Sequence, residues 1–117
     1  MIPYEDMVVY FTVPRTREAM EAWLPGIKDD TRYEHFEVTN GENHWLQQLY
    51  NMFNNKFDII IDNCEDEKLP LKDLPEALSM VETFNNLEND DLRRALDKLR
   101  SAIKLAVRYE TCLYFDF

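Results

Sequence analysis

The chain has 117 residues, 45% of them hydrophobic, including seven Phe, six Tyr and two Trp, and a formal net charge of −10. An aromatic-rich composition of this length specifies a single globular domain over residues 1–117, able to hide roughly 65% of the surface its unfolded chain would expose, and excludes a disordered chain. The negative charge opposes direct binding to nucleic acid, whose affinity comes from Lys and Arg displacing counterions, and opposes attraction to anionic membranes.

Met7 to Val13 reads MVVYFTV. This segment is β-branched, aromatic and apolar at nearly every position, which predicts a central strand closed by Pro14. The opening MIPYEDMVVYF carries acids where a secretory signal needs positive charge, and no apolar run approaches the roughly 20 residues of a membrane span. A cytoplasmic location is therefore expected. Thr16 is placed to cap a helix with apolar positions Ala19, Met20, Trp23 and Leu24, stopped by Pro25-Gly26. YEHFEVT, Tyr33 to Thr39, predicts a second strand. Asn40-Gly41 predicts a turn, after which Trp45, Leu46, Leu49, Tyr50, Met52 and Phe53 draw a helical stripe that NNKF is expected to break.

Phe57, Ile59, Ile60 and Ile61 predict another buried strand, running into Asp62-Asn63-Cys64-Glu65-Asp66-Glu67, which reads as a solvated acidic loop. Leu74, Ala77, Leu78, Val81 and Phe84 continue as a helix with Pro75 in its first turn. NNLEND is a connector with Asp90 as the expected cap. The longest helix follows, with Leu92, Ala95, Leu96, Leu99, Ile103 and Ala106 on one face and Arg93, Asp97, Arg100, Lys104 and Arg108 on the other. TCLYFDF predicts a last strand, and an apolar terminal segment stays ordered only when docked, so it is expected to pair inside the sheet. The order β-α-β-α-β-α-α-β describes an α+β domain with about four strands in a mixed sheet packed by about four helices.

Catalytic and metal motifs are absent. An EF-hand loop started at Asp62 would put Glu67 where Gly is required and Asp73 where Glu is required. Only two Gly occur, with no P-loop and no GxGxxG, and Ser79 and Ser101 fall mid-helix without a GxSxG. His35 and His44 read as structural or surface residues. Cys64 and Cys112 lack CxxC spacing and read as reduced thiols. Cys112 is inert in an apolar strand, and Cys64 is surrounded by acids that oppose a thiolate. A protein that is not an enzyme, with no cofactor and no metal, is the expectation.

The charge is distributed unevenly. From Asp62 to Glu76 six acids face two bases, a net of −4, whereas from Leu92 to Glu110 six bases face two acids, a net of +4. Basic residues along the last helix complement its dipole and pair with acids elsewhere. Glu88, Asp90 and Asp91 form a second acidic connector, and the two connectors would make one negative patch if they met at one end of the domain. Such a patch steers a cationic partner, with Trp23, Tyr33, Trp45 or Tyr50 as candidate anchors if they do not face the core.

In size, charge and α/β texture, with IIIDNCEDEKLP and LENDDL as its acidic segments, the chain resembles the small acidic immunity proteins that bacteria use to neutralise a co-produced toxin, including those of contact-dependent inhibition systems. The resemblance implies a stoichiometric inhibitor that binds a basic, nuclease-type toxin and blocks its active site or sits beside it. Charge clustering then nominates Asp62, Glu65, Asp66, Glu67, Glu88, Asp90 and Asp91 as the interface. The alternatives are a nucleic-acid mimic acting on a host DNA-binding protein, or a small adaptor or metal-binding domain.

Overall fold

A computed structural model describes residues 3, 7–62, 66–84 and 89–117. Four strands and five α-helices follow in the order β1 (Val8–Pro14), α1 (Arg17–Ala22), β2 (Tyr33–Thr39), α2 (Asn40–His44), α3 (Gln47–Phe57), β3 (Glu67–Pro70), α4 (Leu74–Thr83), α5 (Asp90–Tyr109) and β4 (Cys112–Asp116), with a 3-10 turn at Leu71–Asp73. The strands form one sheet in the order β2-β1-β4-β3. The α+β class, the central position of β1 and the internal docking of the last strand stand as the sequence predicts.

The pairing is antiparallel throughout, not mixed. A long connection between β1 and β2 suggests a crossover, but α1 has only six residues and the chain returns to the end of the sheet it left, where Arg15 N–H donates to the Arg32 carbonyl at 2.9 Å. Returning to the same end imposes antiparallel pairing.

Phe11, Val13, Val38, Leu69, Leu113 and Phe115 project from one sheet face into the core, where they meet α3, α4 and α5. Helix α5 supplies Leu92, Ala95, Leu96, Leu99, Ala102, Ile103 and Ala106, a stripe at helical spacing that buries one side of a 20-residue helix. On the opposite sheet face lie Thr12, Tyr33 and Tyr114, covered by α1 and the loop after it. Tyr33 donates to the Ala19 carbonyl at 2.6 Å and Tyr114 to the Met20 carbonyl at 2.9 Å. Trp23 leaves the helix in an extended conformation and stacks on Tyr114 with centroids 4.0 Å apart, so it and the exposed Leu24 lie beyond α1 rather than on it.

Three local expectations are corrected. Asn40-Gly41 opens α2 instead of a turn, because Thr39 accepts from the Glu42 N–H and Glu42 accepts from the Thr39 N–H, each at 3.0 Å. That reciprocal pair outweighs the turn preference of Asn-Gly. NNKF does not break α3, which continues to Phe57 and ends on Asp58 in the left-handed region at φ 55°. Phe57 to Ile61 is consequently not a strand. Its backbone is held by side chains, with Ile61 N–H donating to Asn54 Oδ1 at 2.7 Å and Ile60 N–H to Glu67 Oε2 at 2.9 Å. The strand begins six residues after Ile61, at Glu67–Pro70, taking the last acid of the expected loop and the KLP that follows it.

Candidate functional site: an acidic end of the domain

The acids of the first connector are positioned by β3. Glu67 stands opposite Phe115 on β4, which sets Asp66 beside the end of β4. There the Asp66 carboxyl meets that of Asp116, and desolvation together with this second carboxylate pushes its pKa up, against the pull of the Phe117 N–H. Asp116 itself is buried and accepts the Gly26 N–H at 3.1 Å. Gly26 sits at φ 84°, a conformation that suits glycine, so this bond pins a tight loop to the sheet. Glu67 is committed locally, accepting from Ile60 N–H and from its neighbour Lys68 N–H at 2.8 Å. Asp62 is exposed.

The second connector leads into α5. Asn89, not Asp90, is the cap, accepting the Leu92 N–H at 2.9 Å. Asp90 and Asp91 occupy the first turn, where carboxylates complement the helix dipole, and pair with Arg93 and Arg94 one turn on. Glu65, Glu88 and Cys64, also of interest in the sequence, lie outside the described residues.

Topology decides whether these groups meet. Helix α5 and β4 are joined by two residues and run back along one another, and 20 helical residues span about 30 Å against about 17 Å for a five-residue strand. The first turns of α5 therefore reach the sheet end that holds Asp116 and Glu67. Lys98 and Arg94 confirm the placement by reaching Glu42 of α2, at 2.9 and 3.5 Å, next to the Thr39 end of β2. The acids share one end of the domain but not one face. Asp66 meets Asp116, whose carboxylate turns to the loop-covered side, while Asp90 and Asp91 lead the helical side.

Between Trp23, Asp66, Glu67, Lys68 and Tyr114 lies a shallow depression of about 210 Å³. The two aromatic rings and two carboxylates of its lining attract a cationic side chain, which gains from ring quadrupole and carboxylate together against the repulsion of Lys68 in the same lining. Trp23 Nε1 is buried without an acceptor among the described residues. Among those residues no group of three or more His, Cys, Asp or Glu is arranged to hold a metal ion.

The basic face of α5 is largely engaged. Arg93, Arg94, Lys98 and Arg100 all pair with carboxylates. Of the aromatic anchor candidates, Tyr33 and Tyr50 are core residues, Trp23 is half-buried against Tyr114, and Trp45 is 46% exposed beside His44. Asp116 draws no expectation from the sequence, and Glu42 only that of a helix-capping residue ahead of His44. The signal for Asp116 was an acid interrupting the apolar run LYFDF, and for Glu42 the spacing T-N-G-E.

No protein-family model matches the chain, and neither a curated protein nor a solved structure resembles it closely enough to count as a match. No helix among the described residues is long and apolar enough to cross a membrane.

Proposed function

We propose that this chain is an immunity-type inhibitor, acting in the cytoplasm by binding a basic, nuclease-type toxin through its acidic end rather than by catalysis. The observation that carries this reading is that described acids from both connectors share one end of the domain, with Asp66, Asp90 and Asp91 exposed there and Asp62 exposed in the chain that leads to Asp66. A cationic cleft built for phosphates is attracted to fixed carboxylates that offer no bond to cleave. Such attraction chiefly raises the association rate, and the aromatic-walled depression beside Asp66 supplies a place for one anchoring cation.

The test is capture of partners from the source cells at low and high salt, followed by activity assays of the captured protein with and without the inhibitor. A basic partner whose toxic activity is lost on binding is expected. Simultaneous charge reversal at Asp62, Asp66, Asp90 and Asp91 should weaken the complex and flatten its salt dependence. A partner that binds the reversed protein as tightly as the original would remove the acidic end from the mechanism. A DNA-binding protein of the host as the captured species would favour nucleic-acid mimicry instead.

A further inference from the structure

The sheet has two edges, and they are unlike. At the β3 edge the chain has only four strand residues. The alternation of pairing turns Lys68 and Pro70 outward, where Pro70 has no N–H and the Lys68 N–H is already bound by the Glu67 carboxylate. Short length, an outward lysine and an outward proline are the means by which proteins close an edge to further pairing.

The β2 edge carries none of these. It is seven residues long, YEHFEVT, without Pro, Lys or Gly. Its hydrogen-bond phase follows from the two bonds that flank the ladder, Arg15 N–H to Arg32 carbonyl at 2.9 Å and Asn40 N–H to Met7 carbonyl at 2.7 Å. Bonded pairs in an antiparallel ladder alternate. Glu34, Phe36 and Val38 therefore bond inward to β1, and the backbone of His35 and Glu37 points out. No hydrogen bond within the described residues takes up the outward N–H and carbonyl groups of either residue.

We propose that this edge pairs with the same edge of a second copy, antiparallel about Phe36, so that two four-stranded sheets become one. The sequence itself selects both occupant and register. Only registers that set outward residues against outward residues can form bonds. Centring on Glu37 would set Glu37 against itself, and centring on His35 would align fewer residues. Centring on Phe36 sets His35 of each copy opposite Glu37 of the other, Glu34 opposite Val38, and Phe36 opposite Phe36. No like charges face each other, four backbone bonds form, and a partly buried Phe36 that already packs on the core gains an aromatic neighbour. His35 Nε2, buried without a partner among the described residues, would lie on the same face as the Glu37 carboxylate of the second copy. Each copy carries −10, so the pair forms against a long-range repulsion that salt screens.

Sedimentation velocity across protein concentration and at low and high salt tests this. A concentration-dependent doubling of mass, strengthened by salt, is expected; a monomer under all conditions overturns the proposal. Glu37→Pro deletes the outward N–H, which β1 does not use, together with the carboxylate that faces His35 of the second copy. In a two-fold pair it removes two bonds and should raise the dissociation constant about tenfold or more while leaving the monomer's circular dichroism unchanged. A dimer unaffected by that change uses another surface and equally overturns it. Register is read independently with Phe36→Cys in a Cys64→Ser background. Symmetric opposition at a non-bonded pair brings the two new thiols within disulfide range, so oxidation should yield a covalent dimer. Failure to cross-link rules out the register.

Discussion

The Glu42 carboxylate lies 2.9 Å from the Lys98 ammonium, and the same buried carboxylate closes the cap of α2 on Thr39. One side chain thus fixes a five-residue helix, too short to persist alone, to the longest helix of the domain. Glu42→Ala removes the cap and leaves Lys98 partnerless, and should cost about 2–3 kcal/mol by chemical denaturation at pH 7. Despite its burial, hydrogen bonds from Lys98 and Thr39 hold the Glu42 pKa below its ordinary 4.5. A lowered folded-state pKa gives stability that is complete above the unfolded value and disappears as pH falls through the folded one. The gap between Glu42→Ala and the parent should accordingly shrink when the measurement is repeated well below pH 4.5. An equal gap at both pH values would mean that Glu42 acts only through packing.

Phe115 is the hub of the helix-facing side of the sheet, with Phe11 and Tyr50 centroids each 5.7 Å away and Phe117 at 5.8 Å. Fully buried in a strand paired on both sides, its surroundings have little room to collapse around a void. Phe115→Ala should lower stability by about 3–5 kcal/mol, enough to unfold much of a domain of ordinary stability, and Phe115→Leu should cost clearly less. Thermal melts of both variants give the comparison. Equal costs would show that the aromatic contacts, not the volume, dominate.

Much of this architecture was legible because its signals are periodic. The run VVYFTV, the stripe from Leu92 to Ala106 and the apolar terminal segment each announce an element through a pattern that burial enforces, whereas YEHFEVT alternates less cleanly and is buried only at Tyr33 and Val38. What escaped depends on side chains reaching across the sequence. Ile59 to Ile61 has a strand's composition, but Asn54 and Glu67 bind its backbone from seven residues away on either side, and no periodicity records that. The T-N-G-E spacing of a capping box overlaps the Asn-Gly turn signal, and only the reciprocal Thr39–Glu42 bonds decide between them. For the candidate site, the acidic segments could be read directly, whereas the meeting of Asp66 with Asp116 depends on β3–β4 register, which the chain encodes only through its partner strand.

Cys112 begins the central strand β4 in a buried position, and burial pushes its thiol up to about 11. A thiol that stays protonated and covered is a poor nucleophile. In a Cys64→Ser variant, alkylation at pH 8 should proceed at the rate of global unfolding and accelerate in step with added denaturant. Rapid modification of the native protein, insensitive to denaturant, would show that the strand opens locally.

Asp66 and Asp116 are adjacent acids with opposite duties, and substitution should separate them. Asp116 holds the Gly26 N–H, so Asp116→Asn, which weakens that charge-assisted bond, should loosen the loop over Tyr114 and Tyr33 and destabilise. Asp66 has a raised folded-state pKa, because desolvation and Asp116 both disfavour its charge. A raised value means that the proton is held more firmly in the folded chain, so the associated stability is present below the unfolded 3.8 and is lost as pH rises through the folded value. At pH 7 the pair is a liability. Asp66→Asn removes the repulsion and can donate to Asp116, which should raise stability by about 0.5 kcal/mol at pH 7 and leave it unchanged near pH 3. An acid kept at a cost to stability is what a binding surface requires. A destabilised Asp66→Asn protein would instead make Asp66 a structural partner of Asp116 and weaken its place in the interface.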